Sequence, residues 1–200
     1  MKYLKIGKAS FLLLVLLVAS ACSDLVLEPH DAVSDDAYFN TLEDFKAAIV
    51  GTYNQMQSST WYGRHIHLKS DMMGNDVKQA GSANRYQEFA DFEGQIVTGH
   101  GYETTLWTSV YDGINQVNML INSEFEPTSS QAAEFNQIRG EAFALRGLAY
   151  FDLVKMYAQH YTFTADDSHP GVPIVLESDV TNLPARNTVS EVYNQIVSDL

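Results

Sequence analysis

The chain has 200 residues, of which 25 are acidic and 12 are basic, and its formal net charge at pH 7 is -13. This charge argues against binding to nucleic acid or to an anionic membrane face, because like charges repel. The single cysteine, Cys22, excludes an intrachain disulfide bond.

The first 21 residues have the pattern of a secretory signal. Lys2, Lys5 and Lys8 form a basic start, and the nine residues 11–19 are all apolar. A bilayer-spanning helix needs about 20 apolar residues, so we interpret residues 1–21 as a cleaved signal peptide. Its removal would leave nine basic against 25 acidic residues, a net charge of -16.

Cys22 directly follows the small residues Ser20 and Ala21. This arrangement resembles the bacterial lipobox, in which the cysteine is lipidated and becomes the new N-terminus, although Ala19 stands where Leu is usual. The alternative is an ordinary signal peptide with an incidental cysteine. Lipidation would anchor the protein, since each buried CH₂ contributes about 0.8 kcal/mol. We therefore predict that residues 22–40 form a lipidated N-terminal tether.

The longest helical pattern covers residues 129–159, and we expect the chain to be organised around it. Its apolar stripe has spacings of three and four. The stripe comprises Phe135, Ile138, Ala142, Leu145, Ala149, Leu153 and Met156. Gly140, Ala144 and Gly147 lie beside the stripe and would let a second helix approach closely, and either serine at its start is placed to cap it.

Three further helices are predicted. The first begins at Thr41, which forms an approximate capping box with Asp44. The second covers residues 103–125, and the short turn after it predicts antiparallel packing on the long helix. The last begins at Thr188, in a capping box with Glu191.

Two antiparallel helix pairs are typical of helical-repeat scaffolds, in which each pair buries its apolar face on its neighbours. We predict an all-α fold with long irregular segments at residues 58–102 and 160–187. Because the last helical pattern is still running at Leu200, we expect residues 41–200 to be the N-terminal helical domain of a longer, truncated chain.

Several strings of residues, in their order and spacing, resemble one family. They are Trp107-x3-Tyr111-x2-Ile114-x3-Asn118, Gly140-Glu141-Ala142-x2-Leu145-Arg146-x3-Tyr150-Phe151-x-Leu153, Gly171-Val172-Pro173, and Leu183-Pro184-x-Arg186-x-Thr188-Val189-x2-Val192-Tyr193. With the lipobox in front, they resemble the SusD/RagB family of outer-membrane nutrient-binding lipoproteins of Bacteroidetes. Gly147 and Ala158 depart from the residues usual in that family.

The resemblance implies a tetratricopeptide-like helical scaffold that is not an enzyme. It implies a lipid-anchored protein of the outer membrane, exposed on the cell surface, that captures glycans or sometimes peptides. It also implies delivery of oligosaccharides to a SusC-like TonB-dependent transporter. No cofactor is implied. Members of the family are much longer, so the missing part is expected to carry much of the ligand site.

Sugar binding needs flat aromatic surface for the ring and fixed polar groups for the hydroxyls. Residues 58–102 contain both, and family members often take ligand contacts from this loop. The candidate ligand-binding residues are Trp61, Tyr62, Asn75, Asp76, Asn84, Arg85 and Tyr86. The alternative is that Trp61 and Tyr86 simply pack the loop onto the helices.

Other chemistry is less well supported. His65 and His67 would share one face of a strand and could bind a metal ion with Asp71, but a packed or solvated pair is favoured. Glu141 and Arg146 on the long helix are interpreted as structural rather than catalytic. Neither a G-x-S-x-G string nor a glycine-rich phosphate loop occurs.

Three functions remain as hypotheses. The first is a glycan-binding lipoprotein that works with an outer-membrane importer. The second is a helical-repeat adaptor that acts through protein–protein contact only. The third, a secreted hydrolase, would need a positioned acid–base pair that the sequence does not reveal.

The lipid anchor can be tested at its one predicted attachment point. We expect Cys22→Ala to move the protein from the membrane fraction to the soluble fraction, because the thiol that carries the acyl chains is lost. Fractionation and labelled palmitate would measure this. Equal palmitate incorporation without Cys22 would contradict the assignment.

Overall fold

A computed structural model describes residues 39–78, 80, 86–91, 99–178 and 183–200. Its helices are α1 (Leu42–Met56), α2 (His65–Met73), α3 (Gln87–Ala90), α4 (Gly101–Ile121), α5 (Ala132–Tyr157) and α6 (Val189–Asp199). The described residues form no β-strand, only an isolated antiparallel bridge between Pro170 and Thr188. The predicted all-α fold is confirmed. The predicted signal peptide and Cys22 lie outside the described residues.

None of the helices in these described ranges is both long and apolar enough to span a bilayer.

The two predicted capping boxes are confirmed. The Thr41 hydroxyl accepts a hydrogen bond from the Asp44 amide, and Asp44 Oδ2 accepts one from the Thr41 amide at 2.7 Å. Thr188 and Glu191 make the same reciprocal pair at the start of α6. These caps satisfy amides that a helix start leaves without partners.

The serine cap predicted for α5 is wrong. The helix begins after Gln131, and neither Ser129 nor Ser130 accepts a hydrogen bond from the first turn. Instead, Gln131 Oε1 accepts hydrogen bonds from the amide and the hydroxyl of Thr128. The turn is therefore closed by the side-chain amide of Gln131, which contacts the earlier residue Thr128, and not by a serine hydroxyl that contacts the first turn of the helix.

Helix α5 is the central element, as predicted. Its stripe is buried from Phe135 to Leu153, and Met156 is half-buried. Arg139 near the start of α5 reaches the carbonyl of Ile121, the last residue of α4. Tyr157 at the other end donates to the carbonyl of Glu103, near the start of α4. The two helices therefore run antiparallel, as predicted.

Helices α1 and α6 complete the scaffold. Helix α1 packs against both α4 and α5, and its Thr52 and Gln55 contact Gln116 and Ser109 of α4. Because the higher-numbered residue of α1 contacts the lower-numbered residue of α4, these two helices are also antiparallel. Helix α6 packs only on α5 among the major helix contacts.

The small residues beside the α5 stripe do not behave alike. A Cβ at Gly147 would lie 3.4 Å from atoms of Ile196, Asp199 and Leu200, so this glycine does allow α6 to approach closely. Gly140 has nothing within 4 Å of its Cβ position, and Ala144 is exposed. The prediction is therefore wrong for Gly140 and Ala144, because α6 covers the side of α5 that carries Gly147.

Residues 58–102 are more regular than predicted, since they contain α2 and α3. The buried side chains of α2 are His65, Ile66, Lys69 and Met72. Two of these four are polar. The buried positions therefore follow the helical period, but the hydrophobic residues do not. His65 and His67 lie on this helix rather than on a strand, with His65 buried and His67 exposed. The strand predicted for this pair is therefore wrong. The buried face of α2 includes polar residues, so the helix has no hydrophobic period that would have revealed it.

Arg146 joins three helices in the interior. Its guanidinium donates two hydrogen bonds to the carboxylate of Asp199 on α6, at 2.9 and 2.6 Å. A third hydrogen bond, at 2.9 Å, reaches the side-chain oxygen of Asn118 on α4. All three residues are buried. This geometry supports the structural role predicted for Arg146.

The weight of this contact is testable. Arg146→Met should lower the free energy of unfolding by about 3–5 kcal/mol, because it leaves the Asp199 carboxylate buried without a counter-charge. Urea unfolding would measure the loss. Lys46→Met is the matched control, since Lys46 bridges Glu43 and Glu134 in exposed positions and should have a much smaller effect. Equal losses would show that burial of the Arg146 pair is unimportant.

Two glycines on different helices should respond oppositely to the same substitution. Gly113→Ala places a Cβ 2.8 Å from Cζ3 of the buried Trp61 and should destabilise the protein by about 1–3 kcal/mol. Gly140→Ala enters open space on α5 and should stabilise it by up to about 1 kcal/mol through helix propensity. Thermal unfolding would measure both. A stabilising Gly113→Ala would contradict the packing of Trp61 against α4.

Candidate functional site

The candidate ligand-binding residues do not converge on one point. Trp61 and Tyr62 precede α2, Asn75 and Asp76 follow it, and Tyr86 immediately precedes α3. The nine residues of α2 separate the first two groups by about 13 Å along the helix axis. Asn84 and Arg85 lie outside the described residues.

Trp61 and Tyr62 are tied to α5 through one carboxylate. Trp61 Nε1 donates to Asp152 Oδ2 at 2.9 Å, and the Tyr62 hydroxyl donates to Asp152 Oδ1 at 3.0 Å. Trp61 is only 1% exposed, whereas Tyr62 is half-buried. The indole is therefore covered by protein in this chain, and Tyr62 is the member of the pair that solvent reaches.

The Asp152 carboxylate has the electrostatics of a buried acid. Burial raises the pKa of Asp152, and the hydrogen bonds from Trp61 and Tyr62 oppose that effect by stabilising the ionised form. Burial, together with the nearby Asp152 charge, also raises the pKa of Tyr62. The Tyr62 hydroxyl therefore stays protonated and acts as a donor.

Asn75 and Asp76 lie in the turn that ends α2. Asn75 has φ 61°, in the left-handed region that Asn adopts more readily than most residues. The Asp76 amide donates to the carbonyl of Asp71 at 2.9 Å, which closes the turn. Both side chains are exposed. They present an amide and a carboxylate to solvent, the polar groups that sugar hydroxyls need.

Tyr86 belongs to a second, smaller core. This core consists of Met72, Tyr86 and Phe89, with Leu68, Ala90 and Tyr102 packed around it. The Tyr86 ring stacks on Tyr102 with centroids 4.3 Å apart, and its hydroxyl lies 3.3 Å from Nδ1 of His65. Tyr86 is 3% exposed. Its ring therefore fixes α3 against α2 and α4 and presents little surface to solvent.

His65 is the unusual member of this region. It is 1% exposed, and its Nε2 has no hydrogen-bond partner among the residues that the structure describes. Burial lowers its pKa to about 4; Glu103 opposes the shift, and Lys69, Arg64 and His100 add to it. The neighbouring Lys69 and Glu103 are themselves a buried ion pair at 2.7 Å. His65 is therefore neutral at pH 7.

The two histidines of α2 do not form a metal site with each other. Helix α2 buries His65 and exposes His67, so the two rings do not face one point. Across the ranges that the structure describes, no three His, Cys, Asp or Glu side chains gather closely enough to hold a metal ion.

Sequence reasoning missed Asp152. It sits in the long helix between Phe151 and the stripe residue Leu153, and it is buried. Its position directly beside the apolar stripe was the available signal, because an unpaired carboxylate is costly to bury there. Its partners are about 90 residues away in sequence, so only the fold reveals them.

Acid should destabilise the protein through His65. The pKa of this imidazole is about 4 in the folded chain against an ordinary 6.5, so between these values the unfolded chain binds a proton that the folded chain does not. The free energy of unfolding should therefore fall as the pH drops through this window, by on the order of 2 kcal/mol.

Urea unfolding of the wild type, His65→Gln and His67→Gln at about pH 7 and about pH 4.5 would measure this effect. We expect His65→Gln to lose that part of the pH dependence and the exposed control, His67→Gln, to keep it. Full pH dependence in His65→Gln would show that another group is responsible.

Comparisons with known proteins agree with the fold. A model of a SusD-like family, described as "Starch-binding associating with outer membrane", matches residues 30–200. The chain is 26% identical over 197 residues to SusD-like protein P2 of Formosa agariphila, covering 96% of this chain and 36% of that protein. It is 25% identical over 206 residues to SusD-like protein P38 of the same organism, covering 37% of that protein.

Solved structures give the same result. A SusD superfamily protein from Bacteroides thetaiotaomicron aligns with a TM-score of 0.68 and 29% identity, over 80% of this chain and 36% of that chain. A SusD-like carbohydrate binding protein from Bacteroides vulgatus aligns with a TM-score of 0.66 and 29% identity, over 80% of this chain and 34% of that chain. The chain thus spans little more than a third of its relatives' length. By its sequence match and its helical fold, it belongs to the SusD/RagB family.

Proposed function

We propose that this protein is a glycan-binding lipoprotein of the outer membrane, that it delivers oligosaccharides to a SusC-like TonB-dependent transporter, and that it is not an enzyme. The observation that carries this proposal is the match of residues 30–200 to a family described as starch-binding and associating with the outer membrane. Similarity to a carbohydrate binding protein of known structure supports it.

The proposed arrangement along the chain follows from the sequence patterns. Residues 1–21 are the signal peptide, and residues 22–40 are the tether that a lipid on Cys22 holds at the membrane. Residues 41–200 form the N-terminal part of the helical domain, exposed on the cell surface. The relatives extend well beyond the span that this chain matches, and the rest of the ligand site and the transporter contacts would come partly from that further span.

Within residues 58–102, the proposed ligand contacts now have distinct roles. Tyr62, Asn75 and Asp76 are accessible and would touch the glycan directly. Trp61 and Tyr86 are buried and would support the accessible groups from behind. Asn84 and Arg85 remain candidates because Asn and Arg side chains supply the polar groups that sugar hydroxyls need.

Three buried carboxylates are poorly placed to act as catalytic acids or bases. Asp152 accepts from Trp61 and Tyr62, and Asp199 and Glu103 each face a cationic side chain. A general acid or base must reach the proton that it transfers. These carboxylates are instead occupied by the protein's own groups, so they are poorly placed to act on a substrate.

One observation favours the second function, an adaptor that works through protein contact. The outer faces of α5 and α6 carry the exposed apolar residues Leu148, Phe151 and Val197. Exposed apolar side chains that lie on adjoining helices favour contact with another protein surface. Recovery of a β-barrel transporter in a pull-down, with no glycan binding at any concentration, would support this function.

Calorimetry on the complete mature protein tests the main proposal. We expect soluble starch or another polysaccharide from a panel to bind, because exposed aromatic and amide groups match the faces and hydroxyls of sugars. We also expect no release of reducing ends during the titration. A correctly folded protein that binds neither a glycan nor a peptide would contradict the proposal.

A further inference from the structure

We propose that Asp152 is a positioning residue that holds Tyr62 beside His67, and that this aromatic pair stacks on the pyranose rings of a glycan. The inference rests on the glycan-binding function proposed above and specifies one contact surface for it. Three observations carry it: the shared carboxylate, the packing behind Tyr62, and the exposure of His67.

The shared carboxylate restrains two consecutive aromatic residues. Each oxygen of Asp152 accepts one hydrogen bond, from Trp61 Nε1 at 2.9 Å and from the Tyr62 hydroxyl at 3.0 Å. Asp152 itself is buried on α5, the central helix of the scaffold. Tyr62 is therefore held at its hydroxyl end by the most extensively packed helix of the protein.

A buried aromatic ring packs behind Tyr62. The Trp61 ring lies nearly parallel to the Tyr62 ring, at 21° with centroids 5.9 Å apart. Trp61 in turn fills the space that the missing side chain of Gly113 leaves on α4. The Tyr62 ring is thus packed against Trp61 on one side and hydrogen-bonded to Asp152 through its hydroxyl.

His67 extends the accessible surface. Its ring centroid lies 5.9 Å from that of Tyr62 at an angle of 52°, and its side chain is exposed. The pair combines a half-buried phenol ring with an imidazole that can donate or accept a hydrogen bond. Because Asp152 already occupies the Tyr62 hydroxyl, Tyr62 would contribute stacking, and His67 would supply the polar contact.

The restraint on Tyr62 is what favours this pair as a binding surface. An aromatic ring presents a large apolar face with few rotatable bonds, and a ring that is already immobilised loses little further entropy when a ligand binds. The axial C–H bonds of a glucopyranose ring form flat apolar patches on its two faces, and such a patch fits an aromatic face. A linear glycan would then continue along α2 towards the polar turn at Asn75 and Asp76.

The test uses the complete mature protein and soluble starch, with Kd measured by calorimetry well below the unfolding temperature. We expect Tyr62→Ala and His67→Ala each to weaken binding roughly five- to tenfold. Tyr62→Phe keeps the ring and loses only its anchor, so its loss should be smaller, roughly two- to threefold. Tyr111→Phe is the matched control, because it removes an equivalent hydroxyl that donates to the carbonyl of Pro173.

A double-mutant cycle separates positioning from stability. Asp152→Leu removes both acceptors and keeps a side chain of similar size, whereas an Asn there could still accept from Trp61 and donate to the Tyr62 oxygen. We therefore expect Asp152→Leu to weaken starch binding and to lower the Tm. If Asp152 acts through Tyr62, then Asp152→Leu should cost less affinity in the Tyr62→Phe background than in the wild type. A lower Tm with unchanged Kd would show that Asp152 is merely structural and would overturn the inference.

Failure of this inference is distinguishable from failure of the proposed function. If wild-type protein binds starch and Tyr62→Ala and His67→Ala bind it equally well, the aromatic pair is excluded while the glycan-binding function stands. If wild-type protein does not bind starch but binds another glycan of the panel, the same variants are compared on that glycan. If it binds none of them, both the function and the site are wrong.

Discussion

The scaffold depends most on the hydrogen bonds that the buried guanidinium of Arg146 makes. This guanidinium satisfies a carboxylate of α6 and an amide oxygen of α4 from its place on α5. A charge at this depth is tolerated only when partners surround it. Its three hydrogen bonds therefore specify which residues of the three helices must face one another, in a way that apolar packing alone would leave loose.

Side chains of the helices also hold the irregular segment after α5. Asn118 and Tyr150 both donate to the carbonyl of Val175, and Tyr150 accepts in return from the Val175 amide. Arg186 bonds the carbonyls of Gly171 and Tyr157, so it also closes the end of α5. Because backbone groups without secondary structure need partners, these residues explain why the family strings include polar positions at fixed spacing.

The candidate ligand-binding segment is built differently. It has its own small core around Phe89, and it is joined to the main scaffold by the Asp152 hydrogen bonds and by the Lys69–Glu103 ion pair. The half-buried Tyr62 and the exposed His67, Asn75 and Asp76 lie on that base. A ligand surface supported in this way needs little reorganisation on binding, which favours affinity.

The amino-acid sequence alone determined the all-α class, the two capping boxes, the α5 stripe and the family, because these features depend on local spacing. It did not reveal α2, whose buried face includes His65 and Lys69, or the role of Asp152. Those features depend on partners that are distant in sequence, and a polar residue is buried only where the fold brings such a partner to it. Likewise, only the tertiary structure separated Trp61 and Tyr86, which are covered by protein, from Tyr62, which is not.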